Sequence, residues 1–263
     1  MTISQRMQFS APSGERVPAV SVAEMREIDR IATEDTGPSP LQTLEIAGQQ
    51  AALAAIDLLG PRWRDGRAIV LCGTGRTGAT GVCAARHLAN RGVRVQVVTV
   101  VPPQRADGAL GEAFLALAEA PARVTRWDEA FDVAAADVVV DAILGCEPAD
   151  EALPVQRGLI LAARAAAAAG VPVLSLDVPS GLDADTGDAP GDPPGDAVRP
   201  TRTLTFGLPK RGLTRETAGE LWLADLGIPP GVFARAGVAF APFLGAAASV
   251  LLAYPGEAMP FRD

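Results

Sequence analysis

The sequence predicts an α/β protein: a doubly wound, mostly parallel sheet with helices on both faces. Three observations carry this reading. From Ala68 onward, short apolar runs alternate with helix-compatible stretches, the pattern of parallel strands joined by right-handed crossovers. Runs such as Val138-Val139-Val140 and Val171-Pro172-Val173-Leu174 are apolar without alternation, as strands buried on both faces require. Finally, the stretch from Arg67 to Gly81 reads as a strand, a glycine-dense turn and the start of a helix. A sharp strand-to-helix turn draws on the conformational freedom of glycine. It also leaves room for an anion to approach the N–H groups at the helix N-terminus.

The elements follow in order. Residues 1–20 are polar and are expected to be a flexible segment ahead of one domain, 21–229, with a C-terminal tail at 230–263. Ser21-Val22-Ala23-Glu24 is a capping-box pattern, and Val22, Met25, Ile28, Ile31 and Ala32 follow it at helical spacing. Gly37-Pro38-Ser39-Pro40 ends that helix, and a second is predicted from about Leu41 to Leu59. Strands are predicted at Ala68–Cys72, Arg94–Val101, Arg123–Thr125, Asp137–Ala142, Val171–Leu176, Thr203–Phe206 and Glu220–Ala224. Helices are predicted around 82–90, 109–119, 128–134 and 151–169.

Composition excludes several classes of partner. A formal net charge of -8 argues against nucleic acid or an anionic membrane, both of which need clustered Lys and Arg. No stretch reaches the roughly 20 apolar residues of a membrane span. The nearest, Ala236 to Tyr254, is broken by glycines and Pro242 and reads as a packed tail. Met1 to Pro18 lacks the apolar region of a signal peptide. Cys72, Cys83 and Cys146 have neither metal-ligand spacing nor an even count, so reduced thiols and a cytoplasmic location are expected. The sole histidine, His87, lies one helical turn after Cys83, where a packing role is expected.

Ligands of open α/β sheets bind outside the carboxyl ends of the strands. Three such ends carry chemistry: the glycine turn, Asp141 after Val138-Val139-Val140, and Asp177-Val178-Pro179-Ser180 after Val173-Leu174-Ser175-Leu176. Two carboxylates at neighbouring strand ends hold a cation, or one acts as an acid/base; alternatively, each caps a turn. Gly73-x-Gly75-x-x-Gly78 satisfies the dinucleotide fingerprint in form. The next strand, however, ends Val98-Thr99-Val100-Val101, without the carboxylate that would hold a ribose.

Taken together, these segments resemble the NAD(P)H-hydrate epimerase family, the YjeF N-terminal domain, over roughly Ser21 to Pro229. The resemblance rests on Met25-Arg26-Glu27-Ile28-Asp29-Arg30, Val70-Leu71-Cys72-Gly73, the run from Ala84 to Gly92, and Asp137 to Ala142. The most specific piece is Asp177-Val178-Pro179-Ser180-Gly181-Leu182-Asp183-Ala184-Asp185-Thr186-Gly187; Thr205 to Lys210 and Ala224 to Pro229 follow in order. It implies a Rossmann-like fold and an enzyme interconverting the R and S forms of hydrated NADH and NADPH. These are substrates rather than cofactors, and a separate dehydratase then restores them. Asp177 would be the acid/base. Asp141, Ser180 and Thr77 would match ligands of a potassium ion. Gly75, Arg76, Thr77, Gly78, Ala79 and Thr80 of the turn, with Gly145, Cys146 and Glu147 of a second loop, would face the substrate. Lys210 would be either a charge partner for Asp177 or a solvated lysine. Members are commonly dimers, and the two amino-terminal helices would form the interface.

The departures from the family pattern are as informative. Where the turn usually reads Asn-Asn-Gly-Gly-Asp-Gly, this chain has Arg76-Thr77-Gly78-Ala79-Thr80-Gly81. Thr77 stands for an Asn, Thr80 for a carboxylate, and Ile46 for another usual Asn. Arg76 would then either leave the ion in place or substitute for it beside Asp141. Three readings share this pattern: a stand-alone epimerase with no dehydratase domain following it, the same fold on another nucleotide-like or small substrate, or a non-catalytic binding module. Asp141, Asp177 and Ser180 together argue against the last.

Overall fold

The computed structural model describes residues 7–146, 154–190 and 195–258. Its centre is an eight-stranded sheet. In chain order its strands are β3 (Arg67–Cys72), β4 (Arg94–Thr99), β5 (Ala122–Arg126), β6 (Val138–Ala142), β7 (Val173–Leu176), β8 (Arg202–Phe206), β9 (Glu220–Ala224) and β10 (Ser249–Leu252). In space they run β10-β9-β8-β7-β6-β3-β4-β5, all parallel except the β10–β9 edge pair. The winding reverses between β3 and β6, and a doubly wound sheet opens a crevice at that point.

Alternation along β3 shows how the layers form. Ala68, Val70 and Cys72 face one core with α2 (Pro40–Leu59), α3 (Arg76–Asn90) and α4 (Gly108–Leu117). Ile69 and Leu71 face another with α5 (Pro154–Ala168). Every residue of β6 is buried, as its apolar run requires. A third core gathers α1 (Val22–Arg30), β9, β10 and α7 (Pro230–Arg235). The capping box of α1 is present in full: Glu24 N–H donates to Ser21 Oγ, and Ser21 N–H donates to Glu24.

The structure departs from expectation at several places, each with a local cause. No helix forms at 128–134. Asp128 and Asp132 instead accept from Ala130 N–H and Ala134 N–H, both at 2.9 Å, local turns that compete with helix. β4 stops at Thr99 because its hydroxyl accepts from Val101 N–H and donates to Val101 C=O. β7 starts at Val173 because Pro172 has no N–H and Val171 N–H closes onto Ala166. α3 begins at Arg76 rather than Val82, and a wider turn, Ile31–Thr36, extends α1.

The expected loose amino-terminal segment is folded from residue 7 onward. β1 (Gln8–Ser10) and β2 (Arg16–Pro18) form a hairpin. Phe9 and Val17 are fully buried, and the Phe9 and Tyr254 rings meet edge-on at 5.6 Å. Ser10 exchanges two backbone hydrogen bonds with Ala253, at 3.0 and 2.9 Å. The tail therefore supplies a sheet strand and closes over the hairpin, rather than merely packing outside the domain.

Candidate active site at the strand ends

The glycine turn forms because only glycine fits its two tightest positions. A Cβ on Gly73 would lie 1.9 Å from Ile143 O, and one on Gly78 2.3 Å from Gly73 O. The turn is thereby pressed against the end of β6, and Gly73 N–H donates to Ala142 O. The first turn of α3 then stands beside the ends of β6 and β7.

Asp177 closes β7 with φ at 68°, the one left-handed non-glycine residue among those described. Asp tolerates this region better than most residues because its side chain is short and polar. The carboxylate points into a cleft of about 310 Å³. Its Oδ1 accepts from Lys210 Nζ, Phe206 N–H (3.2 Å) and Thr205 Oγ1 (3.3 Å), and its Oδ2 accepts from the Cys146 thiol (3.0 Å). Lys210 is 1% exposed and also donates to Phe206 O, so the charge-partner alternative holds and the solvated one does not. Burial works against the charge on Asp177, but the ammonium and the donors outweigh it and keep the carboxyl below the usual range. Burial likewise opposes charge on Lys210, and the adjacent carboxylate reverses that effect, raising its pKa. Cys146 is pushed well above the ordinary thiol range by burial and by the Asp177 charge, so it serves as a hydrogen-bond donor.

Asp141 is fully enclosed in the layer beneath. Among the described residues its oxygens accept four hydrogen bonds: Ser180 Oγ (2.6 Å) and Ile143 N–H (3.4 Å) on Oδ1, Ser175 Oγ (2.7 Å) and Ser180 N–H (3.0 Å) on Oδ2. Burial raises its pKa against these bonds. Ser180 Oγ in turn accepts from Leu144 N–H at 2.9 Å, tying the ends of β6 and β7 together. Thr77 Oγ1 donates to Leu144 O instead of turning toward Asp141. A potassium ion needs several oxygen lone pairs converging on one point, and here the Asp141 oxygens are taken up by four donors, Ser180 Oγ already accepts from Leu144 N–H, and Thr77 Oγ1 is turned away. The residues present do not fit the ion.

Arg76 does not replace it either. Its guanidinium is about half exposed and pairs with Asp29 at 3.4 Å. No hydrogen bond or ion pair joins it to Asp141, whose partners lie in the buried layer below the cleft. Arg76, Thr77, Thr80, Cys146, Asp177 and Lys210 line the cleft. Gly75, Gly78, Ala79 and Gly145 stand back from its wall: Gly78 and Ala79 are buried, and Gly145 packs on Thr77. Glu147 lies outside the described residues.

Sequence reasoning missed the far wall: Met25, Arg26 and Asp29 from α1, and Thr43, Leu44 and Ala47 from α2. The available signal was the break in the α1 apolar stripe at Asp29, one residue past buried Ile28. Elsewhere, Glu45, Cys83 and His87 bring three metal-capable side chains together. The Arg86 guanidinium already sits among them, bonded to Glu45 and 3.7 Å from Cys83 Sγ, so the cluster braces α2 on α3.

The fold and site together define a doubly wound α/β protein with a lysine-paired carboxylate in a cleft at its strand ends. The family described as YjeF-related protein N-terminus matches residues 41–212. The chain belongs to that family. It is 39% identical over 236 residues to the NAD(P)H-hydrate epimerase of Dehalogenimonas lykanthroporepellens, covering 88% of this chain and 91% of that one. It is 34% identical to the Bifunctional NAD(P)H-hydrate repair enzyme Nnr of Thermofilum pendens, covering 79% of this chain but 40% of the longer enzyme. The crystal structure of yeast ynu0 (YNL200c) superposes with a TM-score of 0.75 at 20% identity over 89% of this chain, a likeness of fold. No helix among the described residues is long and apolar enough to cross a membrane.

Proposed function

We propose that this protein is an NAD(P)H-hydrate epimerase, interconverting the R and S forms of hydrated NADH and NADPH. The observation that carries the reading is Asp177. It is a carboxylate kept ionised by a buried lysine in an open cleft, in a chain similar along nearly its whole length to a stand-alone epimerase. At the hydrated carbon, C6, the hydroxyl must leave and return, and both events need a positioned proton carrier. Asp177 takes up and returns that proton. Lys210 holds the carboxylate in the acceptor form, while the Cys146 thiol and Phe206 N–H fix its orientation. Arg76, at the mouth, meets the nucleotide phosphates. The Asp141 and Ser180 oxygens that would hold a potassium ion are engaged with one another, and the step at C6 draws on Asp177 instead.

The test is epimerisation of purified R-form hydrated NADH, coupled to an S-specific dehydratase and followed by the return of reduced-nicotinamide absorbance. The protein should exceed the spontaneous rate by orders of magnitude. Asp177→Asn should lose at least 100-fold in kcat while remaining folded, in line with the ~10²–10⁴-fold contribution of acid–base catalysis. A folded wild-type protein no faster than the spontaneous reaction refutes the assignment.

A further inference from the structure

We infer that Asp29 is a second proton carrier of this site, acting from the α1 wall of the cleft while Asp177 acts from the end of β7. The inference rests on the epimerase reading. Epimerisation at one carbon takes the oxygen off one face of the ring and returns it to the other, so a carboxylate on a single wall cannot serve both events. Asp29 lines the same cleft as Asp177 and comes from a different element.

Among the described residues, the charged and titratable groups facing Asp29 are Arg76 of α3 at 3.4 Å, Lys210, Asp177 and Cys146, with Arg26 also lining the cleft from α1. Their balance separates the two acids. Burial raises Asp29, Arg76 and Lys210 pull it back, and the Asp177 charge raises it again, for a net upward shift. Asp177 is held low by the lysine it touches. Two carboxyls whose surroundings drive them apart are suited to the roles of acid and base.

The step balances as follows. The Asp29 carboxylic acid gives its proton to the C6 hydroxyl. The C6–O bond breaks as the ring-nitrogen lone pair forms an N1=C6 iminium, and water leaves. Water then adds to C6 on the opposite face, the iminium π pair returns to nitrogen, and the Asp177 carboxylate takes the surplus proton. Exchange through solvent resets both groups, and the roles swap in the reverse direction.

The experiment compares wild type, Asp29→Asn and Arg76→Ala in the coupled assay across pH, with a carboxyl-carbon NMR titration of Asp29. Asp29→Asn should lower kcat about 100-fold with KM within a few-fold, and should abolish the alkaline fall expected of the wild type as Asp29 deprotonates. Arg76→Ala should retain that alkaline limb. Asp29 itself should titrate above the ordinary aspartate range. An active wild type with an unimpaired Asp29→Asn overturns this inference alone. So does an Arg76→Ala variant that reproduces the Asp29→Asn profile, because Asp29 would then only position the arginine. Titration at or below the ordinary range also overturns it, whatever the kinetics. A silent wild type overturns the epimerase reading, and this inference with it.

Discussion

Lys210→Met isolates what the buried ion pair contributes. The methionine fills most of the lysine stem and deletes the ammonium. Phe206 O, which loses a donor, still accepts from Leu208 N–H at 2.8 Å, so only Asp177 is left short. Removing one partner of a buried pair costs roughly 3–5 kcal/mol. The lower end applies here, because Asp177 keeps the donors Cys146, Thr205 and Phe206 and can escape by protonating. At about 2–4 °C per kcal/mol for a chain of this size, a cost of about 3 kcal/mol lowers Tm by about 6–12 °C at pH 7. The sign with pH follows from linkage. In the wild type the Asp177 pKa is depressed, so its stabilisation is present above the unfolded-state pKa and is lost as pH falls through the folded one. Without the ammonium, burial raises that pKa, and the variant gains stability relative to its neutral-pH value as the carboxyl protonates. The Tm gap between the two proteins should therefore narrow between pH 7 and about pH 4, measured by circular dichroism melts. The acid limb of kcat/KM should also move to higher pH. A Tm loss under about 2 °C at pH 7, with a gap independent of pH, would refute the account of the pair.

Two further outcomes are expected of the buried layer. Ser180→Ala removes a donor to Asp141 and orphans Leu144 N–H, and should cost about 3 kcal/mol in urea denaturation, since unsatisfied buried groups cost roughly 1–3 kcal/mol each. A cost below about 1 kcal/mol would show that the layer is not tightly coupled. Potassium chloride should raise Tm no more than sodium chloride at equal ionic strength; a potassium-specific rise would mean that Asp141 and Ser180 exchange their mutual bonds for the ion.

The parallel sheet was legible because strands buried on both faces must be apolar throughout, and Val138-Val139-Val140 permits little else. Asp177 and Lys210 were legible from the segments around them. Their contact was not: it joins a loop after β7 to a loop after β8, and nothing local distinguishes a buried lysine from a solvated one. Asp29 was hidden for a related reason. α1 looks like an ordinary amphipathic helix until its polar edge is known to face a cleft rather than water. Arg76 misled because its sequence position suggested proximity to Asp141, whereas a helix's first turn projects outward and a long side chain follows the nearest exposed carboxylate. The hairpin at β1–β2 was too short to register, and its burial depends on Tyr254 and Ala253, at the far end of the described chain.

That last contact ties the fate of two distant segments together. The hairpin is held over the third core by the stretch after β10 together with the pairing of Val20 on Lys210, and β10 is in turn an edge strand with a single neighbour in the sheet. Clipping either segment would strip the other of its cover, exposing Phe9, Val17 and Leu252 at one stroke. During synthesis the same dependence leaves the hairpin without its partner at Ala253 until nearly all of the described chain has been made.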